Sequence, residues 1–139
     1  MNDTPSTRRT LAAMLAEAET VVPRLRAAEA AAWIAANAAL VVDVREAPEL
    51  EAGMIAGALH VPRGMLEFCA DPASDYHLPA FRVDRAVLVY CGIGDRSALA
   101  GRTLREMGYP RVANLDSFDG WVRAGLPIAP PPAGDPEPI

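Results

Sequence analysis

The chain has 139 residues, 51% of them hydrophobic and 22% charged, with a net charge of −5. That length admits one domain with a real core and excludes two comfortable ones. The acidic balance argues against nucleic acid or an anionic membrane as the main partner, and two cysteines, Cys69 and Cys91, without paired spacing make neither a disulfide framework nor a zinc pattern.

Residues 1–20 read as an N-terminal tail with a possible short helix, in which Thr10 is placed to cap a helix over Leu11, Met14 and Leu15. No apolar signal core follows Arg8-Arg9, because Glu17 and Glu19 interrupt it, and the run Ala30 to Ala36 is too short to span a bilayer. The expectation is a cytoplasmic protein with no membrane contact. Pro23 stops a helix and makes Val21 to Leu25 extended. Arg26 to Asn37 is alanine-dense and predicts a helix, with Ala28, Ala31, Ala32, Trp33, Ile34 and Ala35 marking an inward face. Leu40 to Val44 is a β-branched, buried type of strand that ends on Arg45-Glu46. Pro48 to Ala52 suits one or two helical turns ended by Gly53, and Ile55 to Val61 a turn into another strand. Met65, Leu66 and Phe68 suggest a further helical turn, and the stretch from Ala70 to Asp84 a long loop, of the kind that forms a rim or lid.

Val87-Leu88-Val89-Tyr90 then delivers Cys91 to a loop, Gly92-Ile93-Gly94-Asp95-Arg96, with Ser97 where a helix to Met107 should begin. Val112 to Leu115 predicts another strand and Asp116 to Ala124 a last helix. Residues 21–128 are expected to form the domain, and 129–139 a Pro-rich disordered tail. Alternating strands and helices imply an α/β domain with a mainly parallel sheet, which binds ligands at the carboxyl ends of its strands, where Cys91 would sit.

A cysteine closing an apolar strand is, alone, more often a small buried hydrophobe than a nucleophile. The surrounding loop reverses that preference. Amides at a helix start lack intrahelical partners and carry positive dipole charge, the glycines leave the cradle open, and Arg96 adds a planar cation, so the loop suits a thiolate or an oxyanion. His60 and His77 lack the spacing of a ligand pair, so no metal is expected.

Asp43-Val44-Arg45-Glu46, then Glu49-Leu50 and Gly53-Met54-Ile55-Ala56-Gly57-Ala58, then Tyr90 to Ser97, and finally Trp121-Val122-Arg123-Ala124-Gly125-Leu126-Pro127 resemble, in order, the motifs of the rhodanese-homology domain over roughly residues 24 to 128. The resemblance implies a mostly parallel five-stranded sheet with helices on both faces, and a sulfurtransferase that needs no metal or organic cofactor. It makes Cys91 the nucleophile that takes up sulfane sulfur as a persulfide, and Gly92, Ile93, Gly94, Asp95, Arg96 and Ser97 the donor-binding loop. Ser97 would cap the helix or bond the persulfide. Asp43 and Arg45 would brace the loop, while Glu46 suits a helix N-terminus. The implied partners are a small sulfur donor or a persulfide-carrying protein, and a thiol acceptor.

Three departures stand out: Met54 where the family usually has histidine, a shortened Asp116-Ser117-Phe118-Asp119-Gly120 turn, and Asp95, which would offset Arg96 and disfavour thiosulfate. Cys-Gly-Ile-Gly also resembles mercaptopyruvate sulfurtransferases, so the donor stays open. Related phosphatases carry one more residue between cysteine and arginine than the four here. A binding module without turnover is the alternative from another class, although such members commonly lose the cysteine. Cys69 would either resolve a persulfide as a disulfide with Cys91 or lie buried.

Overall fold

The structure, a computed structural model, describes residues 8–132. Seven strands form, β1 (Arg24–Leu25), β2 (Leu40–Asp43), β3 (Met54–Ile55), β4 (Leu59–His60), β5 (Val87–Tyr90), β6 (Val112–Leu115) and β7 (Ile128–Ala129). Five α-helices accompany them, α1 (Leu11–Val21), α2 (Ala27–Asn37), α3 (Leu66–Ala70), α4 (Asp95–Glu106) and α5 (Phe118–Arg123). A five-stranded sheet has the order β1-β6-β5-β2-β4 with every neighbouring pair parallel, and β3 and β7 make a separate antiparallel pair.

Strand alternation divides the core between the two faces of this sheet. Leu40, Val42, Val87 and Val89 point to one side, where Leu66 of α3 and Leu104 of α4 meet them; Val22, just after α1, joins the same cluster. Val41, Leu88 and Tyr90 point to the other, against Ala30 of α2 and Trp121 of α5. Burial on both faces explains why β2 and β5 read as unbroken apolar runs. On the first face α1 and α4 pack closely: a Cβ on Gly101 would lie 3.0 Å from Cγ1 of Val22, tight enough that the valine would have to give way.

Several expectations are corrected. Thr10 caps α1 through the amide of Ala13, as its position suggested, but the helix runs a full 11 residues. On α2 the buried residues are Ala27 and Ala30, with Ala31, Trp33 and Ile34 packed beside them, while Ala28, Ala32 and Ala35 are exposed. An alanine-dense helix has too little hydrophobic contrast to mark its inner face. Helix α4 begins at Asp95 with Gly94 as its N-cap, so Ser97 lies inside the first turn and is not the cap. The last helix starts two residues later than Asp116, capped by Ser117, whose hydroxyl accepts the Gly120 amide. Ala129, assigned to the tail, pairs with Met54 in β7. The rest of the two tail expectations falls in part on residues 1–7 and 133–139, outside the described residues. Among the described residues, no helix is long and apolar enough to cross a membrane.

Candidate active site

Strand β5 is flanked by β2 and β6, and its carboxyl end hands Cys91 directly into the turn before α4. The connection through α4 leads from β5 to β6, while β2 lies beside β4, so the chain leaves the β2–β5 boundary in opposite directions. A crevice at such a boundary is where parallel sheets place ligands. Cys91 is buried at 1% exposure. Its Sγ accepts the N–H of Gly94 at 3.2 Å and lies 3.3 Å from Oγ of Ser97. The turn is possible because Gly94 adopts φ +92°, and because a Cβ there would come within 2.7 Å of Nη2 of Arg24 and 2.8 Å of the Asp116 carbonyl. Ile93, by contrast, projects into solvent at 74% exposure.

The loop is held from the neighbouring strand and helix. Nδ2 of Asn114, on β6, donates to the Gly94 carbonyl at 2.9 Å, and the amide of Phe118 donates to the Gly92 carbonyl at 3.1 Å. These bonds take up carbonyls of the loop, and the first amides of α4, at a helix start, have no intrahelical acceptors. Asn114 is itself buried, and its Oδ1 has no hydrogen-bond partner among the described residues.

Asp95 does not offset Arg96. It pairs with Arg24 at 3.0 Å, and Arg24 also reaches Glu19 at 3.3 Å. Arg96 is instead held by Glu49, whose two carboxylate oxygens accept from Nη1 and Nη2 at 2.7 and 2.9 Å. That bidentate bond draws the Glu49 carboxyl down to about 2 and raises the Arg96 guanidinium.

Asp43 and Arg45 form a buried pair, Oδ2 to Nη2 at 2.8 Å, with Nε of Arg45 also donating to Oδ1 at 3.0 Å. Burial opposes the charge on Arg45, and the Asp43 carboxylate overcomes that opposition, so the guanidinium is raised. Nη2 of Arg45 donates to the Gly53 carbonyl at 2.8 Å, and the guanidinium lies 4.3 Å from the Phe118 ring centroid. The Phe118 ring in turn stacks on Tyr90 at 5.8 Å. Neither residue hydrogen-bonds to Cys91 among the described residues. Their route to the loop runs through Phe118, whose amide holds Gly92. Glu46 precedes the 3-10 turn Ala47–Ala52, and its amide donates to Oε1 of Glu49.

Three residues of the site were not singled out from the sequence. Glu49 lay inside a quoted motif but had no role, and Asn114 was legible only as a polar residue in an apolar strand. Arg24 carried no signal, because its partner Asp95 is 71 positions away. His60 and His77 donate from Nε2 to the carbonyls of Arg45 and Phe81, at 2.7 and 3.0 Å, and Cys69 is a buried free thiol pushed up by burial. Met54, where the family histidine would stand, is buried at the start of β3. Among the described residues no group of three or more His, Cys, Asp or Glu side chains could hold a metal ion.

A parallel α/β sheet whose inner strand feeds a cysteine into the turn before a helix, with an arginine five positions on, defines a cysteine-loop protein. The chain belongs to the Rhodanese-like domain family, which matches residues 26–124. It is similar to a sulfurtransferase of Allochromatium vinosum, 39% identical over 93 residues that cover 66% of this chain and 79% of the relative. A thiosulfate sulfurtransferase of Actinobacillus succinogenes is 33% identical over 102 residues, covering 70% and 83%. Among solved structures, one from Rhodopseudomonas palustris, described as a protein of unknown function and possible tyrosine phosphatase, superposes with a TM-score of 0.80 at 40% identity, covering 93% of this chain and 99% of that one.

Proposed function

We propose that this chain is a sulfurtransferase in which Cys91 carries sulfane sulfur as a persulfide between a donor and a thiol acceptor. The observation that carries the reading is the Gly94 amide donating to Cys91 Sγ at 3.2 Å at the start of α4. Similarity to sulfurtransferases supports the general activity. The Cys91 thiolate attacks the transferable sulfur of the donor, the bond that holds that sulfur breaks (S–S in thiosulfate or a persulfide, C–S in mercaptopyruvate, which leaves as the pyruvate enolate), and the leaving group departs with the electron pair of that bond. With thiosulfate the products are the Cys91 persulfide and sulfite. The amides of the loop, with Gly94 already on the sulfur, stabilise its negative charge in both states, and the Ser97 hydroxyl is within reach of it. An acceptor thiolate then takes the outer sulfur and restores Cys91. Atoms and electrons balance without a redox partner.

The similarity to a possible tyrosine phosphatase favours a second reading, hydrolysis of a phosphoester by the same cysteine. The four residues between Cys91 and Arg96, and the commitment of Arg96 to Glu49, weigh against it.

Intact mass decides between them. After incubation with thiosulfate, mercaptopyruvate or cysteine persulfide, the parent chain should gain one sulfur that dithiothreitol removes, and Cys91→Ala should gain none. No gain with any donor, together with turnover of an aryl phosphate that Cys91→Ala abolishes, would replace sulfur transfer by the phosphatase reading. No gain and no turnover would leave a binding module.

A further inference from the structure

The carboxylate of Glu49 is pinned from two directions. Its oxygens accept both terminal nitrogens of Arg96, and Oε1 also accepts the Glu46 amide at 2.9 Å. The planar edge of Arg96, the group best shaped to grip an oxyanion, is therefore already occupied by an anion from the chain itself. The neighbouring arginines are no freer: Arg24 is shared by Asp95 and Glu19, and Arg45 is buried on Asp43. Glu46 adds a further negative charge near enough to act on Arg96. Around the loop, the guanidiniums of Arg24, Arg45 and Arg96 thus face the carboxylates of Glu19, Asp43, Glu46, Glu49 and Asp95. A donor bearing two negative charges meets a surplus of its own sign.

We propose that Glu49 sets donor selectivity, competing for Arg96 with a dianionic donor head and so favouring an organic persulfide over thiosulfate. The proposal rests on the reading of Cys91 as the sulfur acceptor. For an organic persulfide the step is balanced as before: the Cys91 sulfur bonds to the outer sulfur of R–S–SH, the S–S bond of the donor breaks, and the thiolate R–S− leaves and takes the proton released from that outer sulfur. The leaving group then carries a single charge at the reacting end and does not need the Arg96 edge. Glu49 touches no reacting atom in this scheme and acts through Arg96, as a positioning residue.

The test compares thiosulfate with cysteine persulfide as donors, and uses sulfate, whose sulfur has no lone pair with which to accept the persulfide sulfur, as an unreactive dianion that reports on the Arg96 edge. The parent chain should show the higher kcat/KM with cysteine persulfide. In Glu49→Gln, which keeps a side chain able to reach Arg96 but removes the charge, the KM for thiosulfate and the inhibition constant of sulfate should each fall about tenfold. The ratio of kcat/KM for thiosulfate to that for cysteine persulfide should rise by a similar factor, and Glu49→Asp should return it towards the parent value. A structural role would move both donors together. Parallel loss with both donors, unchanged sulfate inhibition, or a parent that already prefers thiosulfate would overturn the proposal. Failure of the parent to take sulfur from either donor would instead overturn the reading of Cys91, and the selectivity argument with it.

Discussion

Replacing Asp43 by alanine removes the counter-charge of a guanidinium that is only 4% exposed. Three N–H groups of Arg45 lose an acceptor: the backbone amide and Nε, both at 3.0 Å from Oδ1, and Nη2 at 2.8 Å from Oδ2. Stranding one partner of a buried ion pair costs about 3–5 kcal/mol. The Gly53 and Glu49 carbonyls, at 2.8 and 3.4 Å, remain to receive Arg45, which puts the expectation at the lower end, about 3 kcal/mol. Against a domain stability of about 5–15 kcal/mol, that is a large share. Urea unfolding followed by circular dichroism reads the loss directly as a lower midpoint with little change in slope. The double variant Asp43→Leu with Arg45→Met removes both charges and should recover at least half of it, because an apolar pair incurs no charge desolvation. Since Arg45 lies over Phe118, and the Phe118 amide holds Gly92, sulfur uptake by the folded fraction of Asp43→Ala should also slow several-fold. A loss below about 1 kcal/mol, or a double variant no more stable than the single one, would refute the description of Asp43 as the counter-charge that keeps Arg45 in place.

Gly94→Ala forces a side chain onto φ +92° and against the backbone carbonyl of Asp116, so the loop must shift and the amide donated to Cys91 moves with it. Persulfide formation should fall at least about tenfold while the melting temperature drops only a few degrees, and normal uptake in the variant would show that this amide is dispensable. Acid should loosen the attachment of Arg96. Glu49 is depressed in the folded chain from an ordinary 4.5 to about 2, so the stability from its pairing is complete above about pH 4.5 and is lost as pH falls towards 2. The full depression would correspond to about 3.4 kcal/mol, but the pair is more than a third exposed, and solvent screening reduces the expectation to about 1 kcal/mol. The stability difference between the parent and Glu49→Gln should therefore shrink between pH 5 and about pH 2, and a difference that does not vary with pH would contradict the pairing.

What the sequence determined by itself was local or repeated in order along the chain. The β-branched runs of β2 and β5, the cysteine and arginine of the loop, Gly53 after its short turn and Thr10 before α1 are each decided by neighbours a few residues away, and the ordered motifs were enough for the family. Tertiary structure alone decided who partners whom. A carboxylate beside an arginine in sequence says little about pairing, because long side chains reach whatever the fold brings near; so Asp95, adjacent to Arg96, goes to Arg24, and Arg96 goes to Glu49, 47 residues earlier. The start of α4 depended on the Gly94 backbone, whose conformation is imposed by Arg24 and Asp116 closing in from other elements. The inner face of α2 waited on the sheet, since alanines spread round the helix give no moment to orient it. The residues of the loop were legible in the sequence, whereas the ion pairs that surround it were set by contacts between distant segments.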